Sequence, residues 1–136
     1  MTPADFVGRW QIGRVILDRV GGQDGRFDGV AILSPLGSMG LSYVEAGQLR
    51  MGQGPVMTAT RRYLWAFQDR QVVVSFADTR PFHSFQAGVS GAGTDHLCGA
   101  DMYRVSYGFA DWPVWSAVWQ VSGPRKAYTL QSRYWR

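Results

Sequence analysis

The sequence predicts an all-β fold, an antiparallel up-and-down barrel of about eight strands. Three observations lead there. Residue character alternates with period two, most clearly from Asp101: Asp101, Tyr103, Val105, Tyr107 and Phe109 share one side, and Met102, Arg104, Ser106 and Gly108 the other. Glycine supplies 17 of 136 residues and punctuates the chain between such stretches, as turns between short strands require. The alternating stretches follow one another as a meander, and with an even number the first and last run antiparallel as neighbours and can close a barrel. A chain of this length makes one domain, residues 1–136.

The first strand runs from Trp10 to Asp18, with Trp10, Ile12, Arg14, Ile16 and Asp18 on one face. The turn GGQDG leads to Arg26–Leu33, whose inward set is Phe27, Gly29, Ala31 and Leu33. LSYVEAG follows, with Leu41, Tyr43 and Glu45 together, and then TATRRYLWAF, with Arg61, Tyr63, Trp65 and Phe67 together. Asp69-Arg70 turns the chain into VVVSFAD, where Val72, Val74, Phe76 and Asp78 point inward. His96–Phe109 is expected to be one strand with a bulge at Gly99-Ala100. WSAVWQV and AYTLQSRYWR complete the set.

Turns set registers, and registers say which inward residues lie side by side. A turn at Asp69-Arg70 places Phe67 opposite Val72, Trp65 opposite Val74, Tyr63 opposite Phe76 and Arg61 opposite Asp78. Parity through the preceding hairpin sets Glu45 against Arg61 and Tyr43 against Tyr63. The first hairpin is expected to set Ile16 against Gly29 and Arg14 against Ala31. Strand directions gather Trp10, Phe109, Trp115 and Arg136 at an aromatic, plugged end. They gather Glu45, Arg61, Asp78, Asp101 and Tyr128 at a polar end. Residues 79–95 lack sustained alternation and join two strand ends at that polar rim. They are expected to form a mobile lid, hinged at VSGAG, with at most a short strand at PFHSF.

Composition narrows the function classes. The net charge of +4 comes from scattered arginines, with Lys126 the only lysine and no basic run, so no nucleic-acid partner is expected. The start MTPADFVGRW lacks a basic segment and a long apolar run, so no signal peptide is expected. No stretch approaches the ~18 apolar residues that span a bilayer. Cys98, the single cysteine, cannot make an internal disulfide, and a cytoplasmic monomer or homodimer is the expectation.

Gly8-x-Trp10 at the start of the first strand, with a basic residue closing the last, resembles the lipocalin-like (calycin) barrels. The resemblance implies a tryptophan packed beneath an arginine at the barrel base and an interior that holds a small, often apolar ligand. The patterns D-x-R-P-F-H at Asp78–His83, H-x-C-x-x-D-x-Y at His96–Tyr103 and G-P-x-K-x-Y at Gly123–Tyr128 resemble an uncharacterised bacterial and fungal family of similar length. That family implies no activity.

The inward polar residues are the candidate site. Glu45, the only glutamate, must pair or stay wet, because a buried charge without partners costs several kcal/mol. An ion triad Glu45–Arg61–Asp78 is expected, either structural or presenting Arg61 to an anionic or carbonyl group. His83, His96, Cys98 and Asp101 are metal-ligand types near one rim, but their spacing matches no known metal motif, and neither metal nor cofactor is expected. His96 or His83 as base, Asp101 as orienter and Tyr103 or Tyr128 as proton donor would make an acid–base enzyme, an isomerase or hydrolase, the alternative. Exposed aromatics such as Trp112 and Trp135 could instead serve a partner-binding module, and Arg125-Lys126 offers a weak anion site. The favoured expectation is a small, partly apolar ligand with a polar or anionic group at the rim. Its contacts would be Glu45, Arg61, Tyr63, Asp78, His83, His96, Asp101, Tyr103, Tyr107, Trp119 and Tyr128, with Tyr43 and Trp65 adding wall.

Overall fold

A computed structural model describes residues 1–136. A short helix, α1 (Pro3–Phe6), precedes β1 (Gly8–Asp18), β2 (Asp24–Pro35), β3 (Gly40–Met51), β4 (Met57–Gln68), β5 (Gln71–Phe76) and β6 (Pro81–Gln86). Then come β7 (Gly91–Ala92), β8 (His96–Cys98), β9 (Asp101–Gly108), β10 (Trp115–Ser122) and β11 (Ala127–Trp135). All pair antiparallel in one sheet along the path β6-β5-β4-β3-β2-β1-β11-β10-β9-β7, with β8 hairpinned onto β9. The result is a nearly closed barrel of ten strands on the path, not about eight.

The difference lies in the expected lid. Residues 81–86 and 91–92 are barrel wall. His83 and Phe85 point inward from β6 and are buried, but β6 is too short and too irregular for its alternation to stand out. Past β7 the chain stitches the seam: the Thr94 amide donates to the Ser84 carbonyl (2.9 Å), the Gly93 amide to Val105 (3.0 Å), and the Ser84 amide to the Thr94 hydroxyl (2.8 Å). A Cβ on Gly93 would stand 2.7 Å from both the Ser84 carbonyl oxygen and a Val105 methyl. The glycine-rich VSGAG is therefore where two walls meet too closely for a side chain, rather than a hinge.

The registers of β3, β4 and β5 are as expected: Glu45 opposite Arg61, Tyr43 opposite Tyr63, Tyr63 opposite Phe76, Trp65 opposite Val74 and Phe67 opposite Val72. The strand ends at Phe76, so Arg61 has no partner at Asp78. The first hairpin is displaced from expectation. Arg14 faces Phe27, Ile12 faces Gly29 and Trp10 faces Ala31. Its turn lies earlier than GGQDG, because the Asp18 carboxylate accepts hydrogen bonds from the Val20 and Gly21 amides and bends the chain there. Residues 96–109 are not one bulged strand. Gly99, at φ 61, turns a tight hairpin that sets Cys98 against Asp101 and His96 against Tyr103.

One end is closed. Trp10 is fully buried, its indole N–H donates to the Phe6 carbonyl (2.9 Å), and the Arg136 guanidinium lies 3.9 Å from the ring centre. Arg136 also donates to the Val7 and Asp5 carbonyls at 3.0 Å, binding the last strand to the N-terminal turn. Arg133 stands over Trp135. Phe6, from a helix that period-two reading does not detect, fills the base against Trp65, Trp112 and Trp115. Trp112 is thus packed into the base rather than offered to a partner.

Candidate functional site

Above this plug the barrel holds a cavity of about 800 Å³ that reaches the surface at the opposite rim. Its size suits a small organic molecule. Tyr43, Tyr63, Trp65, Tyr107 and Trp119 form wall, as their inward parity requires. The cavity's charged network is centred on Glu45, whose partner the sequence reading misassigned.

Glu45 is buried and pairs with Arg14. The guanidinium donates to both carboxylate oxygens, at 2.7 and 3.1 Å, and from Nε to the Ser132 hydroxyl at 2.6 Å. Tyr43 donates to the same carboxylate at 2.5 Å, and the Tyr43 and Tyr134 hydroxyls are 2.9 Å apart. Arg14 also lies 5.0 Å from the centre of the Phe27 ring. Burial alone would push the Glu45 carboxyl up. The Arg14 hydrogen bonds and charge, with the Tyr43 hydroxyl, outweigh it and hold Glu45 below the usual carboxylate range. Burial in turn raises the Tyr43, Tyr107 and Tyr134 phenols, so all three remain hydrogen-bond donors at neutral pH.

The expected triad therefore does not form. Asp78 is exposed, outside the cavity, and bonded to Arg80 at 2.7 Å. Arg61 is exposed at the rim, lines the cavity and joins none of the ion pairs. Arg14 sits on the inward face of the first strand. The argument that a buried charge needs a partner applied to it as much as to Glu45, and that signal could have found the pair.

Of the other candidates, Tyr63, His83, His96, Tyr103, Tyr107, Trp119 and Tyr128 line the cavity. Asp101 does not; it pairs with Lys126 at 3.1 Å, which also occupies the weak anion site expected at the β10–β11 turn. Burial, and then Tyr103, push the Tyr128 phenol up to about 12. His83, His96, Cys98 and Asp101 do not converge, and no group of three or more His, Cys, Asp or Glu side chains is placed to hold a metal ion.

A β-bulge organises the rim. Ser75 faces Pro81 while Val74 faces His83, so Phe82 is an extra residue in β6. Phe82 and His83 consequently both reach the cavity. Phe82 stacks on Trp119 (4.9 Å between ring centres) and on Phe76 (4.6 Å), crossing the mouth as an aromatic bar, with His96 edge-on at 5.2 Å. His83 is buried, and its Nε2 lies 2.7 Å from the Tyr107 hydroxyl. Burial, then the charge of nearby His96, push His83 down to about 3, so it is neutral at physiological pH.

The architecture is shared with solved structures. A DUF3598-family protein of unknown function from Nostoc punctiforme matches with a TM-score of 0.61 at 8% identity, over 98% of this chain and 48% of its own. This chain thus spans about half the length of that neighbour. The S-type phycobiliprotein lyase CPES from Guillardia theta matches with a TM-score of 0.61 at 9% identity, over 98% of this chain and 89% of its own. A redesigned β-barrel, mFAP1, bound to DFHBI, has a TM-score of 0.48 at 13% identity, over 99% of this chain and 98% of its own. No curated protein matches the sequence. The first two likenesses are of fold alone, an antiparallel β-barrel. The family model that matches spans residues 6–136, and the chain belongs to DUF6314, a family of unknown function.

Proposed function

We propose that this protein binds a small, partly apolar molecule inside the barrel, with a polar or anionic group held at the rim. The observation that carries the reading is the cavity of about 800 Å³, walled by aromatic rings and bordered at its mouth by Arg61. A core selected for packing alone fills its interior, because a void forfeits dispersion contacts and costs stability in proportion to its volume. Here the aromatic side chains surround space instead. The rings supply flat apolar contact. Arg61, which joins no ion pair, supplies a planar fork suited to a carboxylate or similar oxyanion.

The alternative is an isomerase or hydrolase using His83 or His96, Asp101 and Tyr103 or Tyr128 for acid–base chemistry in the same cavity. Two observations weigh against it. A histidine pushed to about 3 is a weak base, and Asp101 is engaged by Lys126 rather than by either histidine.

Native mass spectrometry of protein purified from its own host tests the reading, because it weighs whatever is retained. It should show a single added mass in the small-molecule range that is lost on denaturation. Titration with 1-anilinonaphthalene-8-sulfonate should give one fluorescent site per barrel, weakened in Arg61→Gln. Bare protein mass together with no saturable dye site would refute binding.

A further inference from the structure

The mouth of the barrel is narrowed by one side chain, Phe82, and the β-bulge is what puts it there. His83 and Phe85 are the inward residues of β6, so regular pairing would turn Phe82 to solvent. The extra residue carries the ring over the mouth instead, between Phe76 (4.6 Å, planes 23° apart) and Trp119 (4.9 Å, planes 7° apart). Phe76 comes from β5 and Trp119 from β10, on opposite sides of the barrel seam. Without Phe82 they would face one another across a gap one ring thick.

This stack differs from those deeper in the barrel. Phe85 on Tyr107 and Trp115 on Tyr134 are pairs of buried rings, and close packing accounts for them. Phe76, Phe82 and Trp119 are half-buried and line the opening of the cavity. Phe82 has no cross-strand partner in the ladder, so its side chain is held by ring contacts. The turn leading to it carries Thr79 at φ 76, a left-handed conformation that is unfavourable for a β-branched residue. Backbone strain of this kind recurs at ligand clamps. Arg61 lies two residues along β4 from Tyr63, whose ring rests on Phe82, and so borders the same opening.

Building on the binding reading above, we infer that Phe82 occupies, in the free protein, the place of the ligand's own ring. The ligand is a flat aromatic acid that displaces Phe82, lies between Phe76 and Trp119, and leaves its carboxylate to Arg61. One aromatic stack replaces another, so the exchange needs no rearrangement of the wall. A puckered, saturated skeleton of the same size presents no flat faces to the two rings and gains less.

The test compares 2-naphthoate with decahydronaphthalene-2-carboxylate, the same bicyclic acid with and without flat faces, by calorimetric titration of the full-length protein. Wild type should bind the naphthoate at least about threefold more tightly, although the saturated acid is the more apolar of the two. Phe82→Ala removes the competing ring, and naphthoate affinity should rise about tenfold while that of the saturated acid rises less than about threefold. In stopped-flow mixing the variant should also take up naphthoate faster than wild type. An equal gain for both acids would mean only a larger cavity and would overturn the inference, as would no gain for either. Should Phe82→Ala fail to fold, the wild-type comparison decides: a saturated acid bound as tightly as the naphthoate overturns it. If neither acid binds but the naphthalene sulfonate dye does, this inference falls and the binding reading stands. If the dye also fails to bind, both fall.

Discussion

Removing the Arg14 guanidinium probes the interior most directly. In Arg14→Met the side chain keeps an unbranched apolar stem but loses the guanidinium and its charge, so the Glu45 carboxylate keeps only its bond from Tyr43. Breaking a buried ion pair by removing one partner costs about 3–5 kcal/mol. For a chain of this size that lowers the melting temperature by roughly 10–15 °C at neutral pH. The pH dependence gives the sign. In the parent, the folded Glu45 pKa lies below its unfolded value, so the pair stabilises the fold above the unfolded pKa, and this is lost as pH falls through the folded one. In the variant, burial is no longer opposed by Arg14, and the folded pKa moves above the unfolded value. Stability is then highest in acid and falls as pH rises toward that raised pKa. Urea titrations at pH 4.5 and 7.5 should therefore show a gap between parent and variant that is wide at 7.5 and narrower by about 1–2 kcal/mol at 4.5. Adding Glu45→Leu to the variant should restore most of the loss, since an apolar pair of similar volume is often neutral. A gap below about 1 kcal/mol, or one of equal size at both pH values, would refute the claim that Arg14 holds this charge.

Other predictions concern the base, the seam and the histidine. Trp10→Ala removes a fully buried ring that also seats Arg136, and should cost about 3–5 kcal/mol by chemical denaturation; a loss near zero would mean the base is not sealed there. Gly93→Ala drives a methyl into the Ser84 carbonyl and Val105. It should destabilise by about 1–3 kcal/mol and speed hydrogen exchange at the Thr94 amide, whereas unchanged exchange would mean the seam is looser than drawn. His83 should show no titration of its ring proton shifts between pH 5 and 8. Because its folded pKa is lowered, it contributes stability that is complete above the unfolded value and lost as pH falls toward about 3. His83→Phe should flatten that part of the stability profile.

The strands and their inward faces were legible in the chain because period two is a local property. Val105, Tyr107 and Phe109 are buried as their alternation requires, and the β3–β4–β5 registers follow from the Asp69-Arg70 turn and parity alone. The cation–π seat of Trp10 followed from counting strand directions. What lay beyond local reading is whatever depends on barrel closure. Register reasoning finds lateral neighbours in a sheet, so it joined Glu45 to Arg61, its cross-strand partner. The barrel curves β1 and β3 toward the same interior, and Arg14 reaches diagonally past β2 to take the carboxylate, leaving Arg61 at the rim. The Phe82 bulge and the Gly93 seam were equally hidden, since each is set by how far apart two walls stand after the sheet has rolled up. Alternation along a strand determines which residues face inward, while the curvature and tilt of the closed sheet decide which of them meet.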